Sequence, residues 1–466
     1  MAWTETWEGS LGRYLHGFGD LIGDKRTART LGAIIRGIIG SGSLVCQRIA
    51  SHSPALASIT YGSQRVIRFA KGESTRRSAL DAEHLTAKLR QRGVEHLLKA
   101  ADEEAPEDIW LIIDESDLRK PYAQEMADLM PVPDLDGKLV PGYRTINVLG
   151  VTPGRRGMLY HRLYSSREQD FTSQPLETQR ALTTVNEELQ AKGQQLVSTW
   201  IMDRGFDDVA VWRTTWESGA HLVCRLSHLE RLVRFQTQEG PWQAGDIAEA
   251  RGHLRRMAKT RSRMKVRIGS QKRAKVQTAT VAISACPLQL AYDTNIRREG
   301  KPQEGQQDLW LVQVELTNTT LEPWLLITDW PVTNEQMAIL IFRMYRQRWA
   351  VEDTFKYTKT CLGLEAVQVL DLQAIRVLVA LAWVAAGFLY AMGVTMEWPE
   401  IQFLARLGGW VARPDRKPGK IVIARGLEQL INHLVTSAFL QQHIDQHGAL
   451  PPGIVALLRS FEATGL

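Results

Sequence analysis

The spacing of hydrophobic and polar positions changes along the chain. Over residues 1–105 it has the period of an α-helix. Apolar residues recur at helical spacing in LGRYLHGFGDLIG and LGAIIRGIIG, and Pro54 and Gly62 are expected to break the short helices that follow. A helix bearing Lys and Arg is predicted over about residues 77–100. Short helices with basic residues are typical of helix-turn-helix DNA readers, and a helical bundle without a DNA role is the alternative.

Residues 106–226 contain short apolar, β-branched runs that predict strands. The runs IWLIIDESD, YRTINVLGVT and GMLYHRLYSS come first, and a helix, the strand VSTWIMDRG, a second helix and the strand AHLVCRL follow. This order predicts an α/β fold. Residues 227–330 alternate at period two and predict a β-rich insertion, whereas residues 331–466 return to helix, with a basic loop at 413–420.

Composition is consistent with several globular domains. A chain of 466 residues is too long for one ordinary core, and 44% hydrophobic and 23% charged residues are typical of globular proteins. The formal charge of +6 is a weak indication that the partner is nucleic acid. The predicted domains are a helical, DNA-end-binding region, an α/β core in two segments, a β-rich insertion and a helical C-terminal region, at residues 1–105, 106–226 with 331–395, 227–330 and 396–466.

Three features of the sequence indicate where in the cell the protein is expected: its N-terminus, its cysteines and one apolar segment. MAWTETWEGS is acidic and lacks an apolar region, so no signal peptide is predicted. Cys46, Cys224, Cys286 and Cys361 have no metal-binding spacing and are expected to be reduced thiols in the cytoplasm. Residues 377–394 are uncharged and nearly long enough to span a bilayer; because no other run is like this one, a buried helix is favoured over a membrane helix.

Acidic residues follow two of the predicted strands. Asp114 comes directly after residues 109–113, and Asp203 comes directly after residues 197–202. Ligands of open α/β sheets lie at the carboxyl ends of the strands, and carboxylate oxygens suit a hard cation such as Mg²⁺. The alternative is that each Asp caps a helix or turn. Other acids nearby leave the assignment open, namely Glu115, Asp117, Asp207 and Asp208.

The segment YRQRWAVEDTFKYTK contains no Gly or Pro and predicts one continuous helix. At about 100° per residue, Tyr345, Arg348, Glu352 and Lys359 fall within an arc of about 60°. A helical face with a phenol, a guanidinium, a carboxylate and an ammonium is suited to hold phosphate and metal. The alternative is a solvated face, with an ordinary i,i+4 pair between Arg348 and Glu352.

These four residues resemble the Y-R-E-K signature of bacterial insertion-sequence transposases of the IS-four type, in the DDE class. Asp-Arg-Gly-Phe at 203–206 is similar to that family's second-aspartate motif, and Asp114 with Ser116 is similar to the first. The β-rich insertion is also a family trait, and the resemblance covers residues 105–395. It implies an RNase H-like mixed sheet with helices, interrupted by the insertion, in which Asp114, Asp203 and Glu352 are catalytic.

One further motif belongs to the resemblance. Residues 324–328 read Trp-Leu-Leu-Ile-Thr and match the family's W-L-L-x-T motif. In hairpin-forming relatives this Trp, here Trp324, stacks on a base flipped out of the transposon end, since an aromatic face compensates for lost stacking. The alternative is a core tryptophan in a sheet.

The resemblance implies two Mg²⁺ ions per active site, with Mn²⁺ as a substitute. Our hypothesis is that Asp114 bridges both ions while Asp203 and Glu352 each hold one. Water cuts one strand, and the freed 3′-hydroxyl attacks the opposite strand and leaves a DNA hairpin. Tyr345, Arg348 and Lys359 position end phosphates.

The implied partners are double-stranded DNA, as terminal inverted repeats and target, and a second copy of the chain in a synaptic homodimer. The C-terminal helices, residues 421–466, are the expected dimer contact, and the implied location is the bacterial cytoplasm at the nucleoid. Dense positive charge at 251–275 supports DNA contact and predicts salt-dependent binding; a solvated loop is the alternative. The expected DNA contacts of that stretch are Arg255, Arg256, Arg261, Arg263, Lys265, Lys272 and Arg273.

Two other functions remain open. A metal-dependent nuclease of the same fold cuts DNA without rejoining it, and the carboxylates alone do not exclude one. An inactive or domesticated descendant persists as a DNA-binding protein. Strand-transfer products identify the first alternative, and loss of metal binding identifies the second.

Overall fold

The computed structural model describes nine stretches of the chain and divides it into two units. The described stretches are residues 2–53, 59–73, 80–99, 108–192, 196–237, 240–267, 274–290, 307–411 and 417–463. A helical unit consists of residues 1–89, 118–129 and 355–466, and a sheet unit consists of residues 90–117 and 130–354. The domain boundaries expected from the sequence stay a prediction.

The described helices surround an apolar centre in the helical unit and flank the strands in the sheet unit. They are α1 (Ala2–His16), α2 (Lys25–Ser41), α3 (Cys46–Ser51), α4 (Ile59–Ala70), α5 (Ala82–Leu98), α6 (Gln174–Ala191), α7 (Val209–Glu217), α8 (Ile247–Ala250), α9 (Glu335–Arg346), α10 (Trp349–Cys361), α11 (Leu372–Thr395), α12 (Trp398–Leu407), α13 (Lys420–His447) and α14 (Pro452–Ala463).

In the helical unit, α11 is the apolar segment singled out in the sequence. It packs against α1, α2 and α4, and 67% of its most apolar window is buried. Among the described residues it is the one helix that is long and apolar enough to cross a membrane, a property that buried core helices share. The expected break at Gly62 is wrong, because Gly62 lies inside α4, whereas Pro54 lies outside the described residues.

The described strands join into one mixed sheet in the sheet unit. They are β1 (Asp108–Arg119), β2 (Met130–Pro133), β3 (Leu139–Thr152), β4 (Arg155–Tyr164), β5 (Val197–Met202), β6 (His221–Arg225), β7 (Leu232–Gln236), β8 (Trp242–Asp246), β9 (Arg255–Arg267), β10 (Ala274–Leu290), β11 (Asp308–Leu316) and β12 (Trp324–Thr328).

The strands of the predicted core lie in the order β4-β3-β1-β5-β6. The β3–β4 pair is antiparallel, and β1 and β6 both run parallel to β5. Helices α6 and α7 pack together, and buried side chains from both lie in one apolar cluster with those of β1 and β5. The predicted α/β class, with a mixed sheet, flanking helices and helical terminal regions, is confirmed.

The strands of the β-rich region extend the core sheet. β12 pairs antiparallel with β6, and the sheet continues through β11, β10, β7 and β8, while β9 pairs with β10. The region expected to be an insertion is therefore held to the α/β core by backbone hydrogen bonds.

Helix α5 approaches the β3–β4 pair very closely at Gly93. A Cβ atom at this position would lie 2.4 Å from the backbone oxygen of Met158, a distance that side-chain motion cannot relieve. Gly150 on β3 has a similar role, since a Cβ atom there would lie 2.4 Å from Leu97. The small residues set the distance between helix and sheet.

We expect Gly93→Ala to lower the free energy of unfolding by about 1–3 kcal/mol, because overpacking displaces backbone. Gly12→Ala is the matched control: Gly12 also lies in a helix, but a Cβ atom there meets nothing within 4 Å. Alanine at an exposed helical glycine stabilises a helix by up to about 1 kcal/mol. Urea denaturation of both variants tests the contact, and equal effects would contradict it.

Candidate active site

The parallel strands bring charged residues to one level of the sheet. Ile112 of β1 pairs with Ile201 of β5, and the pairing of β5 with β6 is also parallel. Continued past the last pairs, these registers place Asp114, Asp203 and Arg225 side by side. Neighbouring strands lie about 4.8 Å apart, so the two carboxylates are adjacent.

The sequence expectation that β1 ends at Asp114 is wrong, because β1 continues to Arg119. Its pairing with β5 nevertheless stops at Ile112, so Asp114 lies just beyond the paired part of the strand. The backbone N–H of Glu115 donates to Asp114 Oδ1 at 2.9 Å. Local propensity did not reveal the continuation because acidic residues are rare in strands.

The Asp114 carboxyl is largely shielded from solvent, with 16% of the side chain exposed. Burial and then the charge of Asp203 raise the pKa of Asp114 to about 7, although Arg348 acts in the opposite direction. Asp203 also caps the short 3₁₀ turn Arg204–Phe206, since its Oδ1 accepts from the N–H of Gly205 at 2.8 Å. The capping alternative and the adjacent-carboxylate arrangement therefore coexist at Asp203.

The helix expected to run through the third acid is interrupted. α9 ends at Arg346 and α10 begins at Trp349, so the prediction of one continuous helix is wrong. Between them the N–H of Arg348 donates to the carbonyl of Tyr345 at 3.0 Å, an i→i−3 bond typical of a 3₁₀ turn. No Gly or Pro marks the interruption.

Tertiary contacts flank this interruption. Arg346 donates to Ser262 Oγ at 2.5 Å and to the backbone oxygen of Arg263 at 2.9 Å, both on β9. Because a local pattern carries no information on such distant partners, the sequence did not predict the break. The tighter turn brings Arg348 towards the same side as Tyr345.

Arg348 lies between two of the predicted catalytic acids. Its Nη1 is 3.6 Å from Asp114 Oδ2, and its Nη2 donates to Glu352 Oε1 in a short hydrogen bond. The Arg348 side chain is 12% exposed, whereas that of Glu352 is 51% exposed. In the part of the chain that the structure describes, Arg348 Nε is buried without a hydrogen-bond partner.

These residues have the oxygen donors that a hard cation prefers. The raised pKa of Asp114 reflects its burial and then the repulsion from Asp203, and a cation would offset both. Within the described residues, however, no group of three or more His, Cys, Asp or Glu side chains is arranged to hold a metal ion. Asp114 and Asp203 fit a metal site, and Glu352 joins them only if its exposed carboxylate turns away from Arg348.

A cavity of about 1150 Å³ opens beside Glu352. Among the described residues, those that line the cavity include six arginines: Arg156, Arg225, Arg263, Arg343, Arg346 and Arg348. The acids in its wall are Glu322, Glu352 and Asp353. Such a surplus of guanidinium groups suits a phosphate-bearing ligand.

Comparison with known families decides the class. The sequence profile of the family described as "Transposase DDE domain" matches residues 111–386, more than half of the chain. The chain belongs to this DDE transposase family. The matched segment contains all three predicted catalytic acids. DDE transposases transfer phosphoryl groups on DNA and generally use divalent metal ions.

Two other comparisons accompany this match. No curated protein matches the transposase at a significant level. Among solved structures, the cryo-EM structure of a piggyBac transposase synaptic complex with hairpin DNA is similar at 10% sequence identity and a TM-score of 0.40, over 93% of this chain and 79% of that chain.

The two aromatic residues carried over from the resemblance are packed. Trp324 is 7% exposed, and its ring centroid lies 5.2 Å from that of Tyr345 and 6.1 Å from that of Phe342. Burial raises the pKa of Tyr345 to about 12. The side chains of Trp324 and Tyr345 both line the cavity. Trp349 lies partly exposed in the same wall and was not among the residues predicted from the sequence. Its place inside the Y-R-E-K motif was the available signal.

The fourth signature residue, Lys359, lies in the part of α10 that belongs to the helical unit of the transposase. Its Nζ is 2.9 Å from Glu365 Oε1. The single helical face expected from Tyr345 to Lys359 does not form, because the helix is interrupted before Trp349.

Strand β9 carries the described part of the basic stretch. Lys259, Arg261 and Arg263 are exposed, whereas Ala258, Ser262 and Met264 on the opposite face of the strand are buried. The loop alternative is therefore wrong for residues 255–267, and Lys259 joins the expected contacts. Arg255 and Arg256 are exposed at the start of the strand. The side chain of Lys265, together with Lys272 and Arg273, lies outside the described residues.

A buried ion pair beside Asp203 was also missed. Arg231 donates to Asp207 in a short hydrogen bond, and the two side chains are 0% and 1% exposed. Asp207 Oδ2 also accepts from the N–H of His228 at 2.9 Å, and the Arg231 guanidinium lies 4.1 Å from the ring centre of Trp212. This network fixes the loop that follows β5. The neighbouring Asp208 caps α7 instead.

We expect Asp207→Asn to lower the free energy of unfolding of the transposase by about 3–5 kcal/mol, because it leaves the Arg231 charge buried and uncompensated. Asp208→Asn is the matched control: asparagine caps helices as well as aspartate does, so its effect should stay within about 0.5 kcal/mol. Thermal and urea denaturation measure both, and a cost at Asp207 no larger than at Asp208 would contradict the network.

Proposed function

We propose that this transposase is of the IS-four type and that it cuts transposon ends and joins them to target DNA. The observation that carries the proposal is a pair of adjacent carboxylates, Asp114 and Asp203, next to Arg348. Arg348 and Glu352 in turn line an arginine-rich cavity. The Y-R-E-K spacing supports the type.

In this proposal Asp114, Asp203 and Glu352 are the catalytic residues and would hold two Mg²⁺ ions, with Mn²⁺ as a substitute. When bound, Mg²⁺ neutralises charge on the phosphate and activates the attacking and leaving oxygens. The carboxylates have the hard oxygen donors that this ion prefers. Arg348 and the cavity arginines orient the phosphate through charge-assisted hydrogen bonds.

The proposed reaction is a series of in-line phosphoryl transfers. Water attacks the phosphorus at the transposon end, its proton is lost, and the P–O3′ bond breaks to release a 3′-hydroxyl. That hydroxyl then attacks the opposite strand, so that one P–O bond forms as another breaks and the end closes as a DNA hairpin. Reopening by water and attack on target DNA repeat the same chemistry. Each attack by a 3′-hydroxyl exchanges one phosphodiester for another, so joining requires no external energy source.

The proposed partners are double-stranded DNA, as terminal inverted repeats and target, and a second copy of the transposase. The exposed basic face of β9 supports DNA contact. The dimer is supported by exposed apolar residues on α13 and α14, where Phe439 is 66% and Leu457 is 51% exposed. Two transposon ends have to be brought together, which a homodimer does with one active site for each end.

We expect Mg²⁺-dependent nicking of DNA that carries the flanking inverted repeat, followed by hairpin and joined products, with no product in EDTA. Glu352→Gln should lower the rate by at least about 100-fold, because it removes a metal ligand that stabilises the transition state by several kcal/mol. The matched control is Glu335→Gln, at an exposed acid in the first turn of α9.

The products separate the alternatives. Nicks without joined DNA identify a nuclease and reject strand transfer. DNA binding without any nick, in Mg²⁺ and in Mn²⁺, identifies an inactive DNA-binding protein. A Glu352→Gln variant as active as wild type would reject the assignment of this acid.

We expect Arg261→Gln and Lys259→Gln each to weaken binding of duplex DNA and to lower the slope of log affinity against log salt by about 0.9, the loss of one phosphate contact. Lys192→Gln is the control, since Lys192 has the same charge and lies exposed at the end of α6. Fluorescence anisotropy at several salt concentrations measures the slopes. Equal slopes for all three variants would show that β9 does not contact DNA.

A further inference from the structure

Arg348 connects the acids of the site to the basic cavity. Its guanidinium contacts Asp114 on one side and Glu352 on the other, and the same side chain lines the cavity. We propose that Arg348 couples metal binding to DNA binding: without DNA it holds Glu352 away from the metal site, and a DNA phosphate that pairs with Arg348 releases Glu352 to complete that site. The inference rests on the proposed function of the three acids.

The first step is the strength of the Arg348 contacts. An exposed i,i+4 ion pair is ordinarily weak, because water screens it and both side chains lose freedom. Arg348 is only 12% exposed and contacts a second carboxylate, that of Asp114, which is itself 16% exposed. Reduced screening strengthens mainly the contact with Asp114, and the short hydrogen bond to Glu352 adds a second one, so the guanidinium competes with a cation for these carboxylates.

The second step is competition between cations. A guanidinium and a divalent ion cannot occupy the space between the same carboxylates, since their charges repel and they use the same oxygen lone pairs. In accord with this, the described residues contain no group of three acids arranged for a metal, although Asp114 and Asp203 are adjacent. Glu352, at 51% exposure, is the acid that is free to turn.

The third step concerns the ligand that competes with the carboxylates for Arg348, which is a phosphate. Five other arginines line the cavity with it, and their combined field attracts phosphate: Arg156, Arg225, Arg263, Arg343 and Arg346. In the described structure the Nε of Arg348 is buried and has no acceptor, so pairing with the carboxylates leaves one donor unused. A phosphate can accept two parallel N–H bonds from Arg348, including one from the unused Nε, whereas each carboxylate contacts a single Nη atom of Arg348 here.

The consequence is thermodynamic. If DNA raises the affinity for metal by some factor, metal raises the affinity for DNA by the same factor. Couplings of this kind are commonly about 5–150-fold. The transposase would thus assemble a complete metal site only where a DNA backbone already lies in the cavity, so that water is not activated on an empty enzyme.

The test measures Mn²⁺ binding to the full chain by electron paramagnetic resonance, with and without a short DNA duplex of arbitrary sequence at low salt. For wild type we expect DNA to tighten Mn²⁺ binding by at least about 5-fold. Arg348→Gln should bind Mn²⁺ at least about 5-fold more tightly than wild type without DNA, and DNA should have no further effect. Arg348→Lys keeps the charge but not the planar fork, so its affinity should lie between the two.

Arg346→Gln is the matched control. It removes the same charge from the same cavity wall, but Arg346 donates to Ser262 and to the backbone of Arg263 rather than to an acid. This variant should bind DNA more weakly while DNA still tightens its Mn²⁺ binding. Circular dichroism establishes that each variant is folded, and Arg348→Lys carries the test if Arg348→Gln does not fold.

Two outcomes would overturn the inference, and they differ from failure of the proposed function. Mn²⁺ binding by Arg348→Gln that equals that of wild type without DNA, or that DNA still tightens, rejects coupling through Arg348 and leaves the metal site intact. Absence of Mn²⁺ binding in wild type, Arg348→Gln and Asp114→Asn alike, with and without DNA, rejects the carboxylate site and the inference with it.

Discussion

The active site depends on the parallel register of β1, β5 and β6. Backbone hydrogen bonds fix this register, and they hold Asp114 and Asp203 at one level although their charges repel. The folded sheet therefore stores an electrostatic cost at the position of the proposed metal site. The apolar cluster under the strands supplies the stability that keeps the two carboxylates together.

The other residues of the site offset the repulsion between the Asp114 and Asp203 carboxylates or restrict the movement of these side chains. Arg348 supplies positive charge from a 3₁₀ turn between two helices, and Arg346, before the same turn, is anchored to β9. The turn thus joins the acids to the basic strand through three residues of backbone. Behind Asp203, the Asp207–Arg231 pair fixes the loop that follows β5, so the second carboxylate has little freedom to move away from the first.

Patterns of local origin were predictable from the sequence, and features set by distant contacts were not. Apolar runs identified β1, β5 and β6, and the acids after them led to Asp114 and Asp203. The interruption after Arg346 could not be predicted, because it accompanies contacts with β9 and carries no Gly or Pro. Likewise, Trp324 has the same sequence signal whether its ring faces DNA or packs on Tyr345, and the Asp207–Arg231 pair joins residues without a recognisable spacing.

The pairing of β12 with β6 has a consequence for how this chain evolves. Without β12, β6 would become an edge strand with unpaired amides, a template for aggregation, so loss of the β-rich region would lower the solubility of the core. The β-rich region extends the sheet beyond β6. In the described structure β9 pairs only with β10 and is therefore an edge strand. Lys259, Arg261 and Arg263 are exposed on that edge strand, where like charges on neighbouring molecules oppose edge-to-edge pairing, so the charges proposed to contact DNA would also protect the protein from aggregation.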